Sequence, residues 1–268
     1  MTPIPVSTVL LTKNSAAVLP KYFASMRDID DIIVLDGGST DGTLALCRAQ
    51  HNCRVFPQNP AYLNAQGYII DFSGMRNEGY THARHPWILC VDADEAATPE
   101  LLAETRRIVS DGLPGVYTAR RVFYVEGRRV VGLRKSSTDQ IRLFHRDAVR
   151  GCVRPVHERL VIVSGAHRGE MDVEISVPLF PRKDMRVKYD RYLKIEAASL
   201  RDISVGRWLR WILLRNVIAV VRRSLVVIAV RLIPKPGPRY PLTLEWEQIR
   251  YSWTLIWMTN PFMRARRP

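Results

Sequence analysis

Cysteine is scarce and unpatterned in this chain: Cys47, Cys53, Cys90 and Cys152 are the only four among 268 residues, and no C-x-x-C pair occurs. That spacing argues against both a thiolate zinc site and a disulfide framework, so the four read as reduced, cytosolic thiols. Glycine-rich nucleotide fingerprints are missing as well. The stretch D-G-G-S-T-D-G at 36–42 lacks G-x-G-x-x-G spacing and no G-K-[ST] follows an apolar run, which counts against dinucleotide hydride transfer and P-loop hydrolysis. Acid is in short supply, with 26 Asp and Glu against 40 Lys and Arg, a formal charge of +14. No clean membrane span is present either. Residues 208–233 are apolar but include Arg210, Arg215, Arg222, Arg223 and Arg231. Burying such a residue at a bilayer centre costs roughly 2.5–3.5 kcal/mol. The N-terminus has no basic n-region and no small-residue cleavage site, so it reads as a first buried strand and not as a secretory signal.

The charge is unevenly placed. From Arg201 onward thirteen Lys and Arg stand against Asp202, Glu245 and Glu247, and the same part holds Trp208, Trp211, Trp246, Trp253 and Trp257, five of the six tryptophans. Basic residues mixed with interfacial aromatics point to an anionic membrane surface more than to a nucleic acid. An interfacial helix or helix pair over 208–233 is cheaper than a span; a packed helical subdomain with its arginines in water is the alternative. The proline-rich run at 233–241 cannot continue a helix and serves as a hinge or rigid linker. A last helical segment is expected over 244–257, then a mobile basic end.

The first two-thirds read as an α/β order. Strand-like apolar runs at 6–11, 31–35, 54–56 and 87–91 alternate with helix-like stretches at 16–26, 44–50 and 74–83. Thr98 and Pro99 open a helix over 99–110 as N-cap and first position. Strands at 115–125, 129–131, 140–145 and 157–163 make a mixed second half, and the chain turns helical from Tyr189. Ligands of open α/β sheets bind beyond the carboxyl ends of the strands, where Asp36 and Asp92 fall. Asp92 and Asp94 in V-D-A-D-E put two carboxylates one residue apart, able to share one hard cation with a bound diphosphate. A solvated turn is the plain alternative.

The sequence resembles the inverting family 2 glycosyltransferases of GT-A fold, and within them the lipopolysaccharide-core glucosyltransferase-like group. The resemblance rests on L-L-T-K-N-S (10–15), I-V-L-D-G-G-S-T-D-G-T (33–43), G-M-R-N-E-G (74–79), W-I-L-C-V-D-A-D-E (87–95), D-Q-I-R-L-F (139–144) and V-H-E-R-L (156–160). It implies an α/β fold, a GT-A (Rossmann-like) mixed sheet flanked by helices, as a catalytic domain over 1–188. A basic, Trp-rich helical region attached to a membrane interface would occupy 189–268. It also implies a nucleotide pocket. Asp36 would read the base through a ring N–H, with Ser39 and Asp41 in the same loop and Thr12 and Asn14 on the base and ribose side. Arg76 and Asn77 would approach the diphosphate, and Asp92 and Asp94 would hold Mg or Mn. Glu158 matches the position of the catalytic base, and His157 would share or tune that role. Glu95 and Asp139 are competitors for it, or contacts to sugar or acceptor. Gln140 and Arg142 share one face of their strand and would line the cleft, unless that is a plain polar strand face.

The expected partners are a nucleotide-sugar donor such as a UDP-sugar, a lipid-linked or lipopolysaccharide-type acceptor and an anionic membrane surface, at the cytoplasmic face of the inner membrane, with no nucleic acid. A metal-dependent nucleotidyltransferase and a non-catalytic membrane-binding protein are the rival readings.

Overall fold

The computed structural model describes residues 2–125, 128–130, 137–179, 181–232 and 237–266. The chain divides into two compact units, residues 1–121 with 139–175, and residues 122–138 with 176–268. In the first unit, β1 (Ile4–Thr12), α1 (Leu19–Ser25), β2 (Ile29–Asp36), α2 (Thr43–Arg48) and β3 (Cys53–Pro57) alternate as expected. α3 (Phe72–Thr81), β4 (Trp87–Leu89) and α4 (Pro99–Asp111) follow. Strands β1, β2, β3 and β4 lie in the order β4-β1-β2-β3, all parallel. Ile32, Ile33, Val34 and Leu35 of β2 are fully buried, which is why that strand reads as a continuous apolar run and not as an alternation. Because β2 and β4 flank β1 on opposite sides, the chain reverses direction across the sheet there, and the crevice at that switch point is where ligands of such sheets bind.

Beyond β4 the sheet becomes mixed, the GT-A-like arrangement of a central sheet flanked by helices. It continues through β5 (Gly115–Val125), its short partner β6 (Arg128–Arg129), β7 (Ser137–His145), antiparallel to β4, and β10 (His167–Pro178). A separate antiparallel pair, β8 (Val149–Val153) and β9 (Arg159–Ile162), forms a hairpin. The sequence reading places no element at β8, a short segment interrupted by Gly151 at φ 109°. It places none at β10 either, although Met171, Val173 and Ile175 alternate there with Glu170, Asp172 and Glu174. The strand expected at 157–163 begins only at Arg159. Arg154 (φ 82°) and His157 (φ 55°) take left-handed conformations that a strand cannot hold, and they make 154–158 a loop.

Two local features set α3 against the sheet. Asp71 caps the helix, accepting from the Gly74 N–H at 2.9 Å. At Gly79 an added Cβ would lie 2.3 Å from Val9 Cγ1, so only glycine allows this approach to β1.

The second unit is helical: α5 (Arg182–Ser199), α6 (Val205–Arg207) running through a π-helical Trp208–Leu214 into α7 (Arg215–Leu232), and α8 (Leu242–Thr259). Leu193, Trp208, Ile212, Leu255 and Ile256 form its core, and Trp208 Nε1 donates to Thr259 Oγ1 at 3.0 Å. The domain boundary expected at 188 falls inside α5, a continuous helix that packs on α8, so the break lies earlier, at 175. Helix α8 is longer than expected, and the basic end expected to be mobile turns over as a 3-10 helix, Pro261–Arg266, with the Phe262 ring edge-on to Trp208. Residues 131 and 233–236 of the sequence-based segments lie outside the described residues. No helix among the described residues is long and apolar enough to cross a membrane.

Candidate active site

Three chain segments meet beyond the carboxyl ends of β1, β2 and β4. The first is the Asp36 loop. The Asp36 carboxylate accepts from Thr12 Oγ1 (3.0 Å), Ser39 Oγ (2.6 Å) and the N–H groups of Gly38 (3.0 Å) and Ser39 (2.8 Å), and the residue is 6% exposed. A carboxylate has about four acceptor sites, so Asp36 organises this loop, and reading a base N–H would require it to exchange one of these bonds. Thr12, fully buried beneath, is a support for Asp36 and does not line a ribose site, which corrects the expectation.

The neighbouring loop is stitched on. Asn14, at φ 51°, accepts from the Thr40 N–H (2.8 Å), Asp41 accepts from the N–H groups of Thr43 (2.9 Å) and Ala16 (3.1 Å), and Ser39 Oγ accepts from the Asn14 N–H (2.8 Å). Hydrogen bonding from Thr43 holds the Asp41 carboxyl below the usual aspartate range. Gln58 is a residue that sequence reasoning missed. Its Nε2 donates to the carbonyls of Thr12 and Leu35 at 3.1 Å each, while its buried Oε1 has no hydrogen-bond partner among the described residues.

The second segment is α3. Arg76 donates from Nη2 to Asp92 Oδ1 at 2.9 Å and from Nε to Glu158 Oε1 at 3.2 Å. One guanidinium thus joins the first acid of the D-A-D-E turn to the expected base, which lies 82 residues beyond Arg76 in sequence. Burial works against the Arg76 charge, but Asp92, Tyr80 and Glu158 more than offset it, and its pKa is raised. Asn77, next along, does not face a diphosphate, which corrects that expectation. Its Oδ1 accepts from the Cys152 N–H (2.6 Å) and its Nδ2 donates to the Cys152 carbonyl (2.9 Å), clamping β8 as a neighbouring strand would. With the Phe72 N–H donating to the Pro155 carbonyl at 2.9 Å, α3 holds β8 and the start of the hairpin tip that presents Glu158. His157 is exposed at that tip. The Asp139 side chain lies outside the described residues.

The third segment is the turn Asp92–Glu95, closed by the Glu95 N–H donating to the Asp92 carbonyl at 2.9 Å. Asp92 and Asp94 are exposed. Glu95 and Arg142, expected as contacts to sugar or acceptor, are bonded to each other. Arg142 is 2% exposed, donates twice to Glu95 (Nη2 to Oε1 at 2.8 Å) and once to the Cys90 carbonyl (2.9 Å), and Glu95 in turn accepts from the Asp92 N–H at 3.3 Å. Arg142 therefore holds the Asp92–Glu95 turn from beneath. Burial lowers its pKa, and Glu95 restores and exceeds it. Gln140 sits beside it on β7, half-buried, its Oε1 without a hydrogen-bond partner among the described residues. Arg121 of β5, absent from the sequence reading, faces the same acids. Burial and the charge of Arg142 depress its pKa, while Glu95, Asp92 and Asp94 act the other way. Its signal was a pair of arginines, Arg120 and Arg121, inside an otherwise strand-like run.

Arg142→Met should cost about 3 kcal/mol of stability, because it leaves Glu95 charged and half-enclosed without its partner. Chemical denaturation reads this directly. A change under about 0.5 kcal/mol would mean the pair does not hold the turn.

The family model for glycosyl transferase family 2 matches residues 7–166, more than half the chain. The chain belongs to glycosyl transferase family 2. Within and around this family, a TPR repeat-containing protein of Synechococcus elongatus is 35% identical over 102 residues, 38% of this chain and 23% of that protein. The lipopolysaccharide core biosynthesis glycosyltransferase LpsC of Rhizobium meliloti is 31% identical over 125 residues, 46% of this chain and 44% of that protein. The chain thus spans less than half the length of these curated relatives. The crystal structure of S. aureus TarS 1–349 in complex with UDP covers 99% of this chain and 92% of its own at 14% identity and a TM-score of 0.46.

Proposed function

We propose that this family 2 chain is an inverting glycosyltransferase, passing a sugar from a nucleotide-sugar, a UDP-sugar by preference, to a lipid-linked glycan or lipopolysaccharide-core acceptor at the cytoplasmic membrane face. The observation that carries the reading is the Glu158–Arg76–Asp92 bridge at the switch point of the sheet. Inverting transfer needs a base for the acceptor hydroxyl and a positive group near the leaving diphosphate. Glu158 would take the proton, and Arg76, a planar fork able to pair with phosphate oxygens, would follow the diphosphate. The stitched loops around Asp36 suit a nucleobase.

Asp92 and Asp94 fit a magnesium or manganese ion. Both are exposed hard-oxygen donors beside one turn, and no cluster of three or more metal-binding side chains occurs among the described residues. A pair of carboxylates completed by diphosphate oxygens and water is how magnesium meets nucleotides, in place of an all-protein cage. When bound, the cation would supply charge neutralisation for the diphosphate. The acceptor assignment is supported by the likeness to the Rhizobium lipopolysaccharide core biosynthesis glycosyltransferase and by the basic, tryptophan-bearing second unit.

Incubation with a small panel of sugar nucleotides, with and without manganese, tests the reading. Metal-stimulated release of nucleoside diphosphate from one donor is expected. Release of pyrophosphate with transfer of the nucleotide would replace it with a nucleotidyltransferase, and turnover of no donor with a non-catalytic protein.

A further inference from the structure

Helix α7 is apolar on its exposed side as well as its inner one. On its inner side Val217 packs on the core of the unit, Asn216 is buried with Nδ2 donating to the Ile212 carbonyl at 2.8 Å, and Arg223 pairs with Glu245 of α8 at 3.1 Å. Its outer side carries Ile218, Val221, Leu225, Ile228 and Leu232, from 53% to 75% exposed and spaced alternately by three and four residues. That spacing keeps all five on one stripe along the helix. Trp211 and Leu214 extend the apolar exposure into the π-helical turn before it, at 58% and 54%. Helix α8 shows a second apolar row, Trp246, Trp253 and Trp257, exposed at intervals of seven and four. A stripe of this length on a water-facing helix marks a surface that is covered in use.

The charges around the stripe select what covers it. Arg215, Arg222 and Arg231 flank it, exposed, and no acidic residue occurs from Val205 to Leu232. Arg215 lies 3.9 Å from Glu196 of α5, the nearest acid on a packed neighbour. A second copy docking through the same helix would bring apolar residues to meet the stripe but no carboxylate to meet the arginines. An anionic bilayer supplies both, acyl chains below and phosphates at the rim, and tryptophan is at home in the same interfacial layer.

We infer that the outer stripe of α7, from Ile218 to Leu232, lies in the plane of an anionic bilayer as the seat of this protein on its membrane, flanked by arginines in the headgroup layer. This deepens the proposed membrane-face function by naming the surface, and its test does not depend on turnover.

The full chain is floated with vesicles of phosphatidylcholine alone or with phosphatidylglycerol. Binding should favour the anionic vesicles. Leu225→Gln with Ile228→Gln, neutral changes at exposed positions, should weaken binding to them by at least about tenfold. Arg222→Gln with Arg231→Gln should weaken it by roughly tenfold at low salt and much less at high salt. Donor turnover is measured on the same preparations, so loss of the transferase reading and loss of the membrane seat register separately. Unchanged vesicle binding by the Leu225 and Ile228 variant overturns the inference. So does a concentration-dependent dimer, seen by sedimentation without vesicles, that this variant abolishes.

Discussion

Alanine at Asp92 or at Asp94 should lower metal-supported transfer by about 10³-fold, the order expected when several kcal/mol of charge stabilisation at a departing diphosphate is lost. The two variants should differ in a second property. Asp92 Oδ1 accepts from Arg76 as well, whereas the Arg76–Glu158 contact does not involve Asp94. Asp92→Ala therefore leaves Arg76 with Glu158 as its remaining acid in the bridge, and that pair tightens at the cost of a free base. Asp94→Ala leaves the bridge standing. Manganese titration by magnetic resonance should show weakened binding in both, with the pH profile of transfer altered only in Asp92→Ala. Full turnover in both variants would remove these acids from the mechanism.

The parallel half of the sheet was legible because burial on both faces forces continuous apolar runs, as in β2, and because helix starts carry local signals such as Thr98 before Pro99, where Thr98 Oγ1 accepts from the Leu101 N–H at 3.2 Å. The D-A-D-E turn was legible for the same reason, standing just after the buried Trp87–Leu89 strand. What side chains do with their hydrogen bonds was not. Asn77 and Arg142 look like ligand contacts in a sequence, being polar and next to motif residues. Their partners, the Cys152 backbone and Glu95, lie 75 and 47 residues away. Spacing arguments reach only neighbours along one helix face or one strand. The left-handed Arg154 and His157 escaped for a related reason: neither is glycine or asparagine, so the sequence carries no sign of the turn that breaks the strand before Glu158.

The same distant contacts decide which acid can act as base. Glu95 is engaged elsewhere in this arrangement, since both its oxygens accept from Arg142 and one also accepts from the Asp92 N–H. Glu158 has one oxygen on Arg76 at 3.2 Å, a long contact and its single hydrogen bond among the described residues, at the tip of a hairpin held from α3. Glu158→Gln should therefore lower transfer by about 10²- to 10⁴-fold, the range for removing a general base. Donor binding should survive, because the amide oxygen can still accept from Arg76 while the group can no longer take a proton. Donor affinity by calorimetry and transfer by product release separate the two effects. Near-normal transfer in this variant would move the base to Asp139. Equal loss of affinity and rate would instead make Glu158 a partner that positions Arg76, with the proton going elsewhere.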